Sequence, residues 1–309
     1  MNYLLGLLTS YICLSSSFSF FPYKRFFNGI KNKFSEFQKK KLITVYDPNI
    51  LDKLKKFSDD KIAIIDRENN IIYSNYTDFL EDNSELKLKE TISISPGGLQ
   101  GFYLIGIVDF MKHNYNLDSY LLTGASAGAW SCLLMSYKGD TKKFIKSILD
   151  EMSSIRVKSL FEAQLYLKKF ILKKNTIKDF DFSKTFIGVT VLKNLDLSTN
   201  LFYNFNNLED ALDCCIASSH IPFLTGGFIN KYNNKISFDG GFSNSPYLNL
   251  NNTVLHVNPN MWSKRMHVVI NLDEIINKKF EDVNLYELYV NGFMDTKNNK
   301  DKLDAIFHI

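Results

Sequence analysis

Proline is scarce in this 309-residue chain, at 6 residues, and cysteine is scarcer, at 4. The low proline count, beside 45% hydrophobic residues, excludes a proline-rich disordered chain and leaves enough apolar material for a sizeable core. The cysteines are Cys13, Cys132, Cys214 and Cys215. Two are adjacent and one lies near the N-terminus, so the sequence implies neither a disulfide framework nor a metal site. A formal charge of +4 is too small and too dispersed to argue for nucleic acid as a partner. No internal repeat is present. The apolar run Tyr3 to Leu14 falls short of the roughly 20 residues that a membrane-spanning helix needs. What the chain has in quantity is aromatic residues, with 26 Phe and 16 Tyr. It reads as globular, with one large domain and an extension.

That short apolar run has the length of a signal-peptide core, although no Lys or Arg precedes it. Seven basic residues follow between Lys24 and Lys41 (Lys24, Arg25, Lys31, Lys33, Lys39, Lys40, Lys41) against one acid, Glu36. Residues 1–41 are therefore expected to be a signal segment, a presequence resembling those of plastid-directed proteins, or a basic tail that anchors the chain at a membrane surface. A solvated charge run is the plainer alternative. Residues 42–90 form a small extension. In it Leu42 to Tyr46 suits a strand, Pro48 to Phe57 a helix capped by Asp47, and Lys61 to Ser74 a hairpin around Arg67-Glu68-Asn69-Asn70. Asp78 to Glu90 reads as an acidic linker, and residues 91–309 form the main domain.

Within that domain, Leu121-Leu122-Thr123-Gly124-Ala125-Ser126-Ala127-Gly128 runs from an apolar strand through Gly-x-Ser-x-Gly into a helix. A serine on such a turn occupies an unusual backbone conformation, and Gly124 and Gly128 relieve the crowding around it. Taken alone, the motif is equally a small-residue turn that packs a helix close to a strand. Upstream, the strand Thr91 to Ser95 leads through Pro96-Gly97-Gly98-Leu99-Gln100-Gly101 into a helix over Phe102 to His113. Strand, glycine turn and helix together aim backbone N–H groups at an anion. The spacing matches neither Gly-x-Gly-x-x-Gly nor a P-loop, so an oxyanion site for acyl transfer fits better than a phosphate site. Helices follow over Thr141 to Ile155 and Val157 to Leu172, either as core against the sheet or as a cap over an acyl pocket. Strands are expected at Thr185 to Leu192, Leu201 to Phe205, Asn252 to Asn258 and His267 to Asn271, and a helix from Leu208 to Ser219. Met261 to Met266 suits a surface loop or a contact with lipid. Downstream of the elbow, Asp239-Gly240-Gly241 ends a strand and, by itself, is an ordinary hairpin turn.

In that order, the glycine loop, the serine elbow and Asp239-Gly240-Gly241 resemble the patatin-like phospholipase family. The resemblance covers roughly residues 91 to 250 and includes Ala217-Ser218-Ser219-His220-Ile221-Pro222, which is similar to the family's Ala-Ser-x-x-x-Pro element. It implies a three-layer α/β/α fold with a central, mostly parallel sheet. It also implies a serine ester hydrolase acting on lipid at a membrane or lipid surface, without metal or organic cofactor. Carried over, Ser126 is the nucleophile and Asp239 its base; Gly97, Gly98 and Gly101 lie in the oxyanion loop, with Gly124, Gly128 and Gly240 supporting the turns. Two departures stand out: Gln100 replaces the usual Arg or Lys, and Pro96 replaces a common glycine, with loss of a donor. Two alternatives stay open. One is a Ser-His-Asp esterase using His256 or His267; the other is a lipid-binding protein on the same fold with little or no catalysis.

Overall fold

The computed structural model describes residues 62–155, 159–193, 196–222, 224–242, 252–262 and 283–308. The apolar and basic N-terminal segment, the expected strand at Leu42 to Tyr46, the expected helix at Pro48 to Phe57 and the expected strand at His267 to Asn271 lie outside them.

Among the described residues nine strands form one mixed sheet. They are β1 (Ile62–Asp66), β2 (Ile71–Tyr73), β3 (Thr91–Ile94), β4 (Leu121–Gly124), β5 (Thr185–Lys193), β6 (Asp196–Tyr203), β7 (Asn230–Tyr232), β8 (Lys235–Phe238) and β9 (Thr253–Val257). The order is β2-β1-β6-β5-β4-β3-β9, and β8 also pairs with β5 and carries β7. In this row the pairs β9-β3, β3-β4, β4-β5 and β6-β1 are parallel, and β5-β6 and β1-β2 are antiparallel. The sheet is thus mostly parallel, as the resemblance implied. Both faces are covered, so β3 and β4 are buried at every position, including Thr91, Ser93 and Thr123.

β1 and β2 are the hairpin expected around Arg67, and β1 lies parallel to β6. The extension therefore supplies an edge of the central sheet. The expected linker is different. Tyr76–Asp82 is a helix, α1, capped by the Asn75 side chain, which accepts from the Asp78 N–H, and a 3-10 turn follows over Ser84–Leu86. The acidic composition masked one decisive apolar residue: Phe79, fully buried, meets Phe186 and Tyr203 edge-on across one face of the sheet.

On the opposite face lie α2 (Gly101–Asn114), α3 (Ala127–Ser136), α4 (Thr141–Ser154), α5 (Leu160–Lys174) and α6 (Leu208–Ser218). The alternation along β5 assigns each face: Phe186 joins the cluster around Phe79, whereas Ile187, Val189 and Val191 join that of α3 to α6. After the last strand come α7 (Leu285–Asn298) and α8 (Lys300–Phe307). α7 lies directly on α2: a Cβ added at Gly292 would fall 2.0 Å from the Tyr103 carbonyl oxygen, and one at Gly106 would fall 2.1 Å from that of Tyr289. Two tyrosine hydroxyls fasten this crossing, Tyr103 donating to Asp295 and Tyr289 to Asp109. Gly292→Ala is expected to force the helices apart and destabilise the fold by about 1–3 kcal/mol, read as a lower urea midpoint. Trp262 belongs to the same brace, since its indole N–H donates to Thr296 of α7. Its indole therefore faces the protein.

Candidate active site

The pairing of Ile94 with Gly124 places the C-terminal ends of β3 and β4 side by side. The glycine loop and the serine elbow thus emerge together at the carboxyl edge of a parallel sheet, where open α/β folds place ligand sites. Ser126 has φ 57° and ψ −124°. A non-glycine residue held there stores about 1–3 kcal/mol of strain and persists only because its surroundings fix it. Gly128 supplies part of that restraint: a Cβ there would lie 2.2 Å from the Ile94 carbonyl oxygen, so α3 can start only this close to β3 with glycine at that position. Gly124 faces the Gly128 carbonyl and Cys132, and Gly240 faces the Gly188 carbonyl and Ala125, with equally little space.

Ser218 supplies the rest. The Ser126 N–H donates to Ser218 Oγ at 2.8 Å, and Ser218 in turn donates to the Gly188 carbonyl at 2.7 Å. Through this hydroxyl, α6 and β5 fix the elbow. Sequence reasoning noted Ser218 within the Ala-Ser element but assigned it no role, because a link spanning 92 residues leaves no local pattern. Ser218→Ala leaves a buried donor and acceptor unpaired. It is expected to lower stability by about 1–3 kcal/mol and to reduce the turnover assigned below, both measurable by denaturation and ester hydrolysis.

Ser126 stands at the head of α3, yet its hydroxyl does not cap the helix. It lies close enough to the Asp239 carboxylate to favour its ionised form. Asp239 follows β8, is 5% exposed, and is held by its own N–H to the His220 carbonyl and by the Gly241 N–H, which donates to Oδ1 at 2.8 Å. Burial pushes its pKa up to about 6, against the nearby Ser126 hydroxyl and the Gly241 N–H, which favour the ionised form. Among the described residues no imidazole is bonded to Ser126 or Asp239. His256 lies on β9, with its Nε2 buried and without a partner there, and His267 is outside the described residues.

The glycine loop folds as a 3-10 turn over Gly98–Gln100, entered at Gly98 with φ 53°, a conformation that favours glycine. The Gln100 N–H is spent on the Gly97 carbonyl and the Gly101 N–H on that of Gly98. Gly101, placed in the oxyanion loop by sequence, is thus no free donor; it lets α2 approach Ala127, whose Cβ would stand 3.2 Å from an added one. For the N–H groups of Gly97 and Gly98 no acceptor is found among the described residues. Gln100 makes no side-chain cap for α2.

A cleft opens in front of Ser126. Gly98, Leu99 and Phe102 form one wall, Met152 of α4 with Leu160, Ala163 and Leu167 of α5 another, and Ile221, Leu224, Val283 and Leu285 contribute from the loops and α7. Among the described residues no group of His, Cys, Asp or Glu is suited to hold a metal, and no helix is long and apolar enough to cross a membrane.

The sequence model of the family described as patatin-like phospholipase matches residues 92–250, about half of the chain and the part that carries the glycine loop, Ser126 and Asp239. The chain belongs to that family. A human protein named 1-acylglycerol-3-phosphate O-acyltransferase PNPLA3 is 23% identical over 174 residues, covering 53% of this chain and 36% of that protein. The chain thus spans about a third of this relative's length. Family membership assigns lipid acyl chemistry, by hydrolysis or acyl transfer, at the level of the family.

Proposed function

We propose that this protein is a lipid acyl hydrolase that cleaves ester-linked fatty acyl groups through an acyl-enzyme on Ser126. The observation that carries the reading is a strained serine that lies near a buried carboxylate whose pKa has been raised toward neutrality. A serine hydroxyl is a poor nucleophile until a base takes its proton, and a carboxylate near pH 6 is a far better base than one near 4.

In this reading Asp239 accepts the Ser126 proton as Oγ bonds to the ester carbonyl carbon. The resulting oxyanion is held by the N–H groups of Gly97 and Gly98, with the amino end of α3 adding its dipole. The C–O bond to the alcohol breaks, and Asp239 returns the proton to the departing oxygen. Water, deprotonated by Asp239, then attacks the acyl-enzyme; the fatty acid leaves and Ser126 regains its proton. The apolar cleft receives the acyl chain, and the lipid is met at a membrane or lipid surface. Gln100 places an uncharged side chain where many family members carry Arg or Lys, and the backbone donors are unaffected by it.

A fluorophosphonate probe should label the wild type and not Ser126→Ala, and lipid product profiles should differ between the two proteins. Unlabelled wild type with unchanged profiles would sink the reading in favour of a non-catalytic lipid binder. The name of the human relative supports a second acceptor, a lipid alcohol in place of water at the acyl-enzyme. Addition of a lysolipid to the assay distinguishes them: transfer yields a diacyl product at the expense of free fatty acid.

A further inference from the structure

Ser218 ends α6 and Ser219 caps it, and the hydroxyls of both reach the start of α3. Ser218 Oγ accepts the Ser126 N–H at 2.8 Å, and Ser219 Oγ accepts the Trp130 indole N–H at 3.1 Å. Ser219 spends its own proton on the Cys215 carbonyl at 2.9 Å, which leaves a lone pair to hold the indole. Trp130 is also partly buried against the apolar cluster shared by α3 to α6. Its ring is therefore held both by packing and by a hydrogen bond.

The direction of the side chain follows from the helix. The Trp130 backbone N–H bonds to the Ser126 carbonyl, so the two residues bracket the first turn of α3. Side chains on a helix tilt toward its N-terminus and cover the turn before their own Cα. Trp130 thus covers the turn that begins at Ser126, and Ser126, Ala127 and Trp130 all line the cleft. An indole is a large rigid ring with only two side-chain torsions. Anchored through its N–H, it is a fixed wall beside the serine, whereas a flexible lining residue such as Met152 can repack around a ligand.

We propose that Trp130, clamped by Ser219, is a specificity-determining residue that restricts the site to acyl chains unbranched next to the carbonyl. The inference rests on the acyl hydrolase reading. The ester carbonyl must reach Ser126 while its chain runs on into the apolar cleft, so the first carbons of the chain pass the indole. A straight chain lies flat against the ring. A methyl branch beside the carbonyl has to displace a ring that is held in place, and packed apolar sites resist an added methyl group.

The test pair is p-nitrophenyl hexanoate and p-nitrophenyl 2-methylhexanoate, with the ratio of their hydroxide-catalysed rates as the measure of the branch's intrinsic effect. Relative to that ratio, the wild type is expected to favour the straight ester by at least about tenfold in kcat/KM. Trp130→Leu should bring the preference to within about threefold. Ser219→Ala, which keeps the ring and removes its anchor, should fall between the two, with both variants folded by circular dichroism. A wild type that treats the pair as hydroxide does, or a preference undiminished in folded Trp130→Leu, overturns the role of Trp130 and leaves the hydrolase reading intact. A preference kept in full by folded Ser219→Ala overturns the clamp. Hydrolysis of neither ester by the wild type removes the inference and the hydrolase reading together.

Discussion

Ser126→Ala is expected to lose on the order of 10⁴-fold or more in kcat/KM toward any ester that the wild type hydrolyses. In the proposed mechanism the hydroxyl removed is the group that forms the covalent bond to the acyl carbon. Among the described residues the cleft wall holds two other hydroxyls, Ser219 and Thr225, and both are bound to backbone carbonyls. The fold should tolerate the change, because the bond that secures the elbow comes from the Ser126 backbone N–H, which alanine keeps. Alanine retains the positive-φ strain as well, so denaturation midpoints should stay close to wild type. Full activity in a folded Ser126→Ala protein would end the acyl-enzyme mechanism.

Asp239→Asn is expected to cost about 10³-fold in turnover and, unusually for a buried site, to stabilise the protein. An unperturbed carboxyl in the unfolded chain titrates near 3.8, whereas burial raises Asp239 to about 6 in the folded state. The native state therefore binds the proton more tightly. The stability linked to this proton is present in full below about pH 4 and is lost as pH rises through 6. Above pH 7 the ionised group is a net cost, and the neutral amide removes it while its oxygen still accepts from the Gly241 N–H. A gain of about 1–3 kcal/mol at pH 8 should follow, read as a higher urea midpoint, and it should shrink toward zero near pH 4. In the proposed mechanism the same pKa governs catalysis with the opposite consequence. Asp239 works as a base only when ionised, so wild-type kcat/KM should rise with pH through about 6 and level off above it. Activity unchanged between pH 5 and 8 would count against Asp239 as the base. The site thus spends stability on reactivity, as strained and desolvated catalytic groups commonly do.

Much of this arrangement was legible in the chain. The strands β3 and β4 announce themselves as short runs that lead into glycine-containing turns, and β5 as a longer run rich in β-branched and aromatic residues. The helix α6 ends within a residue of its expected limit, since Pro222 follows closely. Other elements were not legible. α1 was hidden in an acidic stretch, because a seven-residue helix anchored by Phe79 carries too little periodicity to register. The contribution of β1 and β2 to the central sheet depends on pairing with β6, far along the chain, and nothing local encodes it.

The glycine loop, the elbow and Asp239 were determined by sequence alone, because each needs specific residue types at fixed spacing: glycine where the backbone turns or another chain passes, serine at the apex, aspartate at a strand end. What only the tertiary structure decided is how these pieces act on one another. It set Ser126 near Asp239, raised the aspartate's pKa by excluding water, held the elbow through Ser218 and Gly188, and paired the Gly101 N–H with the Gly98 carbonyl. Each of these depends on contacts between distant segments and on the solvent they exclude, and a one-dimensional pattern carries neither.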